Sequence, residues 1–159
     1  MGSFQNITAS DGFVLPAYVA QPSGAPKGAI VVLQEIFGVN SHIQTVTDVY
    51  AAQGYIAVAP STFHRVKADV NLGYTPEDIQ AGIALKAAAE AVLPLVMQDV
   101  QAAVDFATQQ LQTGGKVGVV GYCWGGLLTW RAAAMVKGIS AAVPYYGGAI
   151  PSLNGERPK

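Results

Sequence analysis

The chain has 159 residues, of which 51% are hydrophobic and 12% are charged, and 18 residues are glycine. This length corresponds to one ordinary domain, and the high apolar content excludes an intrinsically disordered chain. The formal net charge of −1 provides no field that would hold a nucleic acid. A single cysteine excludes an intrachain disulfide and a cysteine-cluster metal site, and it suits a reducing compartment.

The beginning of the chain carries no recognisable targeting signal. Residues 1–9 contain neither the basic region nor the apolar region of a secretory signal peptide. No apolar run reaches the length of about 18 residues that a membrane-spanning helix requires. We therefore expect no membrane span, and we expect the protein in the cytoplasm.

The predicted elements begin with a hairpin and then alternate between strands and helices. The hairpin surrounds Asp11-Gly12, and its second strand is expected at a sheet edge because Pro16 cannot donate a backbone hydrogen bond. Apolar runs predict buried strands at 28–34, 55–59, 116–121 and 140–145. Helices are expected from Asn40 or Ser41 to Gly54, from Thr75 to a break at Pro94, from near Leu95 to Gly114, and from Gly125 to Val136.

This alternation determines the expected fold class. Strands separated by helices form a parallel sheet, because each crossover helix returns the chain to the same end of the sheet. The sequence therefore predicts an α/β fold with a mostly parallel sheet. We expect residues 1–148 to be the N-terminal part of a single domain, followed by a polar tail at 149–159.

The strongest chemical motif is GYCWGG at residues 121–126, where a predicted strand turns into a helix. A nucleophile with glycine two residues away on either side is the pattern of a nucleophile elbow, because the sharp turn leaves no room for side chains. The thiol of Cys123 would then lie at a helix N-terminus, whose dipole favours the thiolate. The competing interpretation is a buried structural cysteine in a glycine-rich turn.

A second motif, QEIFGVN at residues 34–40, ends the first predicted parallel strand. Because Glu35 and Cys123 both follow parallel strands, we expect them to be neighbours at the carboxyl edge of the sheet. A carboxylate opposes ionisation of an adjacent thiol, so Glu35 could hold Cys123 as a thiol until substrate displaces it. The competing interpretation of Glu35 is a solvated charge at a strand end.

Acyl transfer also requires backbone N–H groups that point at the developing oxyanion. In an elbow fold one donor is the residue after the nucleophile, which is Trp124 in this chain. The other donor lies in the loop after an earlier strand, and Ile36 is the candidate. The two motifs together therefore provide a nucleophile, a carboxylate and two oxyanion donors.

These two motifs resemble those of the dienelactone hydrolase family of α/β-hydrolases. The resemblance extends in order and spacing from about Phe4 to Gly148 and includes GY at 54–55, AP at 59–60, GVVGYCWGG at 118–126 and YYG at 145–147. It implies an α/β-hydrolase-like fold with helices on both faces of the sheet, lacking the last strands and helix. It also implies a carboxymethylenebutenolidase-like hydrolase of small-molecule ester or enol-lactone substrates, with no metal and no organic cofactor.

The resemblance also implies roles for individual residues. In that family a cysteine nucleophile works with a histidine and an aspartate, and the nucleophile matches Cys123. The glutamate that hydrogen-bonds the resting thiol matches Glu35, and the oxyanion amides match those of Ile36 and Trp124. The implied reaction is thiolate attack on the lactone carbonyl, enolate release, and hydrolysis of the thioester by water.

The chain departs from the family pattern beyond the nucleophile. The family's aspartate and histidine lie on segments after the strand that ends near Tyr146, and residues 149–159 contain neither residue type. The family's substrate-binding arginine has no clear counterpart, because Arg65 is the only arginine before the elbow. His64 and Tyr146 are candidates for substrate contact, whereas His42 is expected to be a solvated residue at a helix start.

Two other functions stay open at this point. Flavodoxin-like proteins of the glutaminase-like superfamily also pair a glutamate with an elbow cysteine, and they react with peroxides or aldehydes. The chain could also be a non-catalytic fragment, whose exposed sheet edge would produce homo-oligomers. The acidic residues Asp69, Asp99 and Asp105 are interpreted as charges on loops or helix faces.

Overall fold

A computed structural model of the chain describes residues 1–111 and 114–153. In chain order its elements are β1 (Ser3–Thr8), β2 (Val14–Ala20), β3 (Ala29–Leu33), α1 (Ser41–Ala52), β4 (Ile56–Pro60), α2 (Pro76–Ala91), α3 (Leu93–Gln110), β5 (Val117–Tyr122), α4 (Trp124–Met135) and β6 (Ile139–Tyr145). A short 3₁₀ helix follows at Ile150–Ser152. The part of the expected polar tail from 154 to 159 lies outside the described residues.

The strands form one sheet in the order β1-β2-β4-β3-β5-β6. The four strands β4, β3, β5 and β6 are parallel to one another, whereas β1 and β2 form an antiparallel extension beside β4. Val31 belongs to the apolar cluster that contains residues of α3 and α4, and Val32 belongs to the cluster that contains Ile43 of α1. The predicted mostly parallel sheet with helices on both faces is therefore confirmed.

Helix boundaries follow local signals in the sequence. Asn40 caps α1, since its Oδ1 accepts a hydrogen bond from the Ile43 N–H at 3.2 Å. Thr75 and Asp78 form a reciprocal capping box at the start of α2. The predicted break near Pro94 occurs between α2 and α3, and Pro94 lies in the first turn of α3, where its missing N–H is not needed.

The predicted position of the strand that contains Pro16 at a sheet edge is wrong. β2 lies between β1 and β4, so β1 is the outer strand. The β2–β4 ladder begins at Ala17, and the Pro16 carbonyl accepts instead from the Ser61 N–H at 2.9 Å. Pro16 pairs with Asn6 in the β1–β2 ladder but lies beyond the end of the β2–β4 ladder, so its missing N–H removes no hydrogen bond between β2 and β4.

No helix within the described ranges is both long and apolar enough to cross a membrane alone. α2 and α3 have that length and composition only as a pair, and this pair is bent by 93°. In α3 the apolar side chains Val96, Val100 and Val104 are fully buried in the core beside the sheet.

β6 is the outer strand on the side opposite β1. Its residues Val143 and Tyr145 are 47% and 45% exposed, although valine and tyrosine in a sheet normally pack against a neighbouring layer. They line a shallow apolar groove with Ile30 and Val120 on the face of the sheet that carries α1. This part of the sheet is therefore open to solvent in the described chain.

Candidate active site

Cys123 occupies the turn between β5 and α4 in a rare backbone conformation. Its φ is 56° and its ψ is −119°, a combination that costs a non-glycine residue about 1–3 kcal/mol. The backbone N–H of Cys123 donates to the carbonyl of Tyr145 at 3.1 Å, which ties the turn to the end of β6. The side chain is half-buried and is not part of a disulfide. This is the strand-turn-helix geometry that GYCWGG predicts.

The glycines around Cys123 are required by close backbone contacts. A Cβ on Gly121 would collide with the carbonyl of Gly125, and a Cβ on Gly125 would collide with the carbonyl of Leu33 at the end of β3. A Cβ on Gly126 would lie 2.5 Å from the carbonyl oxygen of Tyr145. The first turn of α4 therefore packs directly on the ends of β3 and β6, the two strands that flank β5.

Glu35 follows β3 and is half-buried, and its hydrogen-bond donor is Tyr74, which belongs to neither sequence motif. The Tyr74 hydroxyl donates to Glu35 Oε2 at 3.1 Å and accepts from Asn40 Nδ2 at 3.4 Å. The rings of Tyr74 and Phe37 meet edge to face, with centroids 4.6 Å apart. Within the described ranges Tyr74, and not the thiol of Cys123, is hydrogen-bonded to this carboxylate.

Tyr146 lies immediately after β6, is exposed and has a positive φ of 39°. Loss of hydration, followed by the negative charges of Glu35 and Cys123 and then of Tyr74, raises the pKa of the Tyr146 hydroxyl. Loss of hydration also raises the pKa of the Tyr74 hydroxyl; the hydrogen bond from Asn40 opposes that shift, and the Glu35 charge adds to it. Glu35, Cys123 and Tyr146 are therefore electrostatic neighbours at the carboxyl edge of the sheet.

The two predicted oxyanion donors, Ile36 and Trp124, directly follow Glu35 and Cys123 in the chain. Trp124 is the first residue of α4, so its backbone N–H has no acceptor within that helix. Ile36 lies in the loop after β3, and a Cβ on Gly82 of α2 would collide with the Ile36 carbonyl. α2 thus packs directly on this loop, and an isolated antiparallel bridge pairs Gly38 of the same loop with Asn71.

The side chain of Trp124 is fixed by contacts that the sequence does not reveal. Its ring is 2% exposed and stacks on Phe63, with centroids 4.8 Å apart and planes inclined by 14°. Trp124 Nε1 donates to Glu90 Oε1 at 2.7 Å, and Arg131 donates to Glu90 Oε2 at 2.7 Å. Only the apolar character of Trp124 and Phe63 could have suggested that they meet in the core.

His64 lies in the turn after β4, in contact with the β1–β2 hairpin. Its ring is 5.9 Å from that of Phe13, and its Nδ1 is buried with no hydrogen-bond partner among the described residues. Its role in substrate contact stays a prediction. His42 is exposed in the first turn of α1, where a solvated histidine was expected.

The expectation that Asp99 is a charge on a loop or helix face is wrong, because Asp99 is buried. Its side chain is fully buried and accepts two hydrogen bonds from Arg65, at 2.9 Å and 2.8 Å. Arg65 also binds Asp11 at the tip of the β1–β2 hairpin, at 2.8 Å. Burial raises the pKa of Asp99 to about 6, against the opposing effect of Arg65. Period and composition could not reveal this pair, because its members are 34 residues apart in the chain.

The described residues contain no group of three or more His, Cys, Asp or Glu side chains that could hold a metal ion. The candidate site offers the thiol of Cys123, the carboxylate of Glu35, the hydroxyls of Tyr74 and Tyr146, and backbone N–H groups. These groups suit nucleophilic attack on a carbonyl carbon, with the negative charge that develops on oxygen received by N–H donors.

The sheet order, the helices on both faces and the elbow at Cys123 define an α/β-hydrolase fold. The model of the dienelactone hydrolase family matches residues 15–158, which make up most of the chain. The chain belongs to this family.

Relatives of known sequence and structure agree with this assignment. The carboxymethylenebutenolidases of Pseudomonas putida and Pseudomonas knackmussii are each 38% identical to the chain over 144 residues, which is 89% of this chain and 59% of theirs. A solved dienelactone hydrolase homologue from Klebsiella pneumoniae is 30% identical with a TM-score of 0.70, covering 99% of this chain and 65% of that one. The chain thus spans little more than half the length of the curated relatives it matches.

Proposed function

We propose that this chain carries the nucleophilic half of a hydrolase that acts on ester or enol-lactone bonds, with Cys123 as the nucleophile. The observation that carries the proposal is the strained turn at Cys123, with φ of 56° between β5 and α4. A structural cysteine gains nothing from such a conformation, whereas a nucleophile gains exposure above the carboxyl edge of the sheet. The family names of the relatives support the same class of bond.

The residues around Cys123 divide the reaction between them. The Cys123 thiolate attacks the carbonyl carbon, and the carbonyl electron pair moves to the oxygen. The backbone N–H groups of Ile36 and Trp124 receive that charge as hydrogen-bond donors. Collapse of the tetrahedral intermediate expels the alcohol or enolate and leaves an acyl thioester on Cys123. The resemblance gives Glu35 a hydrogen bond to the resting thiol, but in this chain its carboxylate accepts from the Tyr74 hydroxyl instead.

Hydrolysis of the thioester requires a base for the attacking water. The family's histidine and aspartate follow the nucleophile, and residues 124–159 contain neither residue type. His64 precedes the nucleophile, in the turn after β4, and makes its described ring contact with Phe13. We therefore propose that this chain alone forms the acyl thioester but does not turn over efficiently.

Mass spectrometry of the chain treated with p-nitrophenyl acetate tests both parts of this proposal. We expect one acetyl group per chain on Cys123 and one equivalent of p-nitrophenolate, without sustained release. Iodoacetamide should alkylate the same residue in the folded chain. Cys123→Ala should abolish both modifications, and Lys67→Arg provides a control for acetylation of an exposed amine.

Three results would contradict the proposal. Acetylation that persists in Cys123→Ala would place the nucleophile elsewhere. Protection of Cys123 from both reagents at neutral pH would show a structural cysteine. Sustained ester turnover that disappears in Cys123→Ala would leave the nucleophile in place but would refute the argument from the absent histidine and aspartate.

The glutaminase-like alternative predicts a different reactivity. Under that alternative Cys123 would be oxidised by peroxide but not acetylated by the activated ester. The match of residues 15–158 to the dienelactone hydrolase family favours the acyl-transfer reaction instead.

A further inference from the structure

Glu90 connects α2 to the beginning of α4 through both of its carboxylate oxygens. Oε1 accepts from Trp124 Nε1 and Oε2 accepts from Arg131, each at 2.7 Å. Trp124 and Arg131 are seven residues apart, so they lie on the same face of α4 two turns from each other. The Arg131 charge offsets the cost of partly burying the Glu90 carboxylate, whose side chain is 26% exposed.

The hydrogen bond from Trp124 to Glu90 is important because Trp124 is a proposed oxyanion donor. Trp124 immediately follows Cys123, and its backbone N–H is the oxyanion donor assigned above. As the first residue of α4, Trp124 has no intrahelical hydrogen bond on that N–H to fix the orientation of its peptide group. The orientation of this peptide group must therefore depend on the Trp124 carbonyl, on the neighbouring residues and on the Trp124 side chain.

The side chain of Trp124 is held at two separate points. Its ring stacks on Phe63 at 4.8 Å, and its indole N–H is bound by Glu90. Stacking alone permits the ring to slide or rotate in its plane, whereas a hydrogen bond to a charged acceptor fixes one direction. Without Glu90 the buried indole N–H would also lose its acceptor, and the ring would have to shift to find another.

We infer that Glu90 is a positioning residue, which fixes the backbone N–H of Trp124 for oxyanion binding by holding the Trp124 indole. This inference rests on the proposed function, because it requires Cys123 to attack a carbonyl group. Glu90 does not touch the substrate in this role. Its effect is limited to those reactions of Cys123 in which negative charge develops on a carbonyl oxygen.

Two reactions of the same thiol separate this role from a merely structural one. Acetylation by p-nitrophenyl acetate forms an S–C bond at the carbonyl carbon, moves the π electrons to oxygen and then expels p-nitrophenolate. Alkylation by iodoacetamide forms an S–C bond at a saturated carbon and expels iodide, so no oxyanion develops. In both reactions the thiol proton passes to the buffer. The ratio of the two rates therefore reports the oxyanion donors and cancels changes in thiol exposure or ionisation.

Three variants of the full chain test the inference. Glu90→Leu removes both hydrogen bonds, Glu90→Gln keeps a neutral acceptor for the indole, and Trp124→Phe keeps a stacking ring without an N–H. Glu77→Gln is the matched control, since Glu77 is an exposed carboxylate in the first turn of the same helix. Circular dichroism of each variant confirms that it is folded before the rates are compared.

We expect Glu90→Leu to lower the ratio of acetylation rate to alkylation rate by about 10-fold to 100-fold, because displacing a donor costs less than deleting it. Glu90→Gln should lower the ratio less. Trp124→Phe should match Glu90→Leu, and the double variant should add nothing further, since both act through the same hydrogen bond. Glu77→Gln should leave the ratio unchanged.

An unchanged ratio in folded Glu90→Leu would overturn the inference, and so would equal decreases in both rates. If Glu90→Leu does not fold, an unchanged ratio in both Glu90→Gln and Trp124→Phe would overturn it. A wild-type chain that is alkylated but never acetylated, or that reacts with neither reagent, would instead refute the proposed function. The two failures are therefore distinguishable.

Discussion

Arg65 is expected to contribute strongly to the stability of this chain. It contacts the buried Asp99 of α3, the exposed Asp11 of the β1–β2 hairpin and the ring of Phe13, whose centroid is 4.2 Å from the guanidinium carbon. The substitution Arg65→Met keeps much of the side-chain volume but removes the charge and all of these hydrogen-bond donors. It would leave the Asp99 carboxyl group buried without a partner.

The structure gives the order of magnitude of the effect. Removing one partner of a buried ion pair costs about 3–5 kcal/mol in free energy of unfolding, because the other charge stays buried. The ion pair with Asp11 adds little, since the Asp11 carboxylate is exposed and screened by water. Arg65→Met should therefore cost about 3–5 kcal/mol, whereas Asp11→Asn should cost much less. The double variant Arg65→Met/Asp99→Leu should recover most of the loss, because it leaves no buried charge.

The pH dependence of stability provides a second measure of the same pair. Asp99 has a pKa of about 6 in the folded chain and an ordinary value of 3.8, so the folded chain keeps this proton to a higher pH than the unfolded chain. Unfolding therefore releases a proton between these two values, and the contribution of Asp99 to stability falls as pH rises through this window. Asp99→Leu should remove that decrease.

Urea unfolding followed by far-ultraviolet circular dichroism measures each of these free energies. A cost below about 1 kcal/mol for Arg65→Met would refute the reasoning, because that value is typical of an exposed pair. A double variant no more stable than Arg65→Met would also refute it, since the loss would then not come from the Asp99 charge.

Three further predictions concern the site and the surface. Tyr74→Phe should change the rate of Cys123 alkylation by freeing the Glu35 carboxylate, and an alkylation rate equal to wild type would show that the hydroxyl does not control that carboxylate. Gly125→Ala should abolish Cys123 acetylation or prevent folding, because the new Cβ would collide with backbone carbonyls. A folded variant that mass spectrometry shows to be fully acetylated would contradict this packing. The chain should self-associate through the open side of β6, where Val143 is exposed. Light scattering should show less association for Val143→Lys than for the wild type. A wild-type chain that is monomeric at all concentrations would oppose this prediction.

The elements that the sequence predicts well are those with strong local signals. The parallel strands are continuous apolar runs, and Asn40 and Thr75 have the side chains that cap helices. The elbow is also local, because GYCWGG contains the glycines that its own turn and its contacts with β3 require. Pro16 misled the prediction, since the end of a ladder tolerates proline as well as a sheet edge does.

The unpredicted parts of the site depend on pairs that are distant in the chain. Glu35 and Tyr74 are 39 residues apart, and Glu90 and Trp124 are 34 residues apart. In each pair one residue, Glu35 or Trp124, follows a strand. Its partner lies in another part of the chain, because Tyr74 precedes α2 and Glu90 belongs to α2. No periodicity or short motif specifies which polar groups meet in this way, because the meeting point depends on how the intervening elements pack.

The glycine contacts of the elbow have a consequence for the evolution of this site. The close contacts of the glycines around the turn are mostly with backbone carbonyls, and the described contacts of the turn do not include the sulfur of Cys123. The chemical element at the tip of the turn can therefore change without any change in the frame that presents it. Exchange of sulfur for oxygen, as in Cys123→Ser, would alter reactivity in a single mutational step while leaving the backbone of the turn intact. The geometry of the turn and the side-chain atom at its tip can thus change independently of each other.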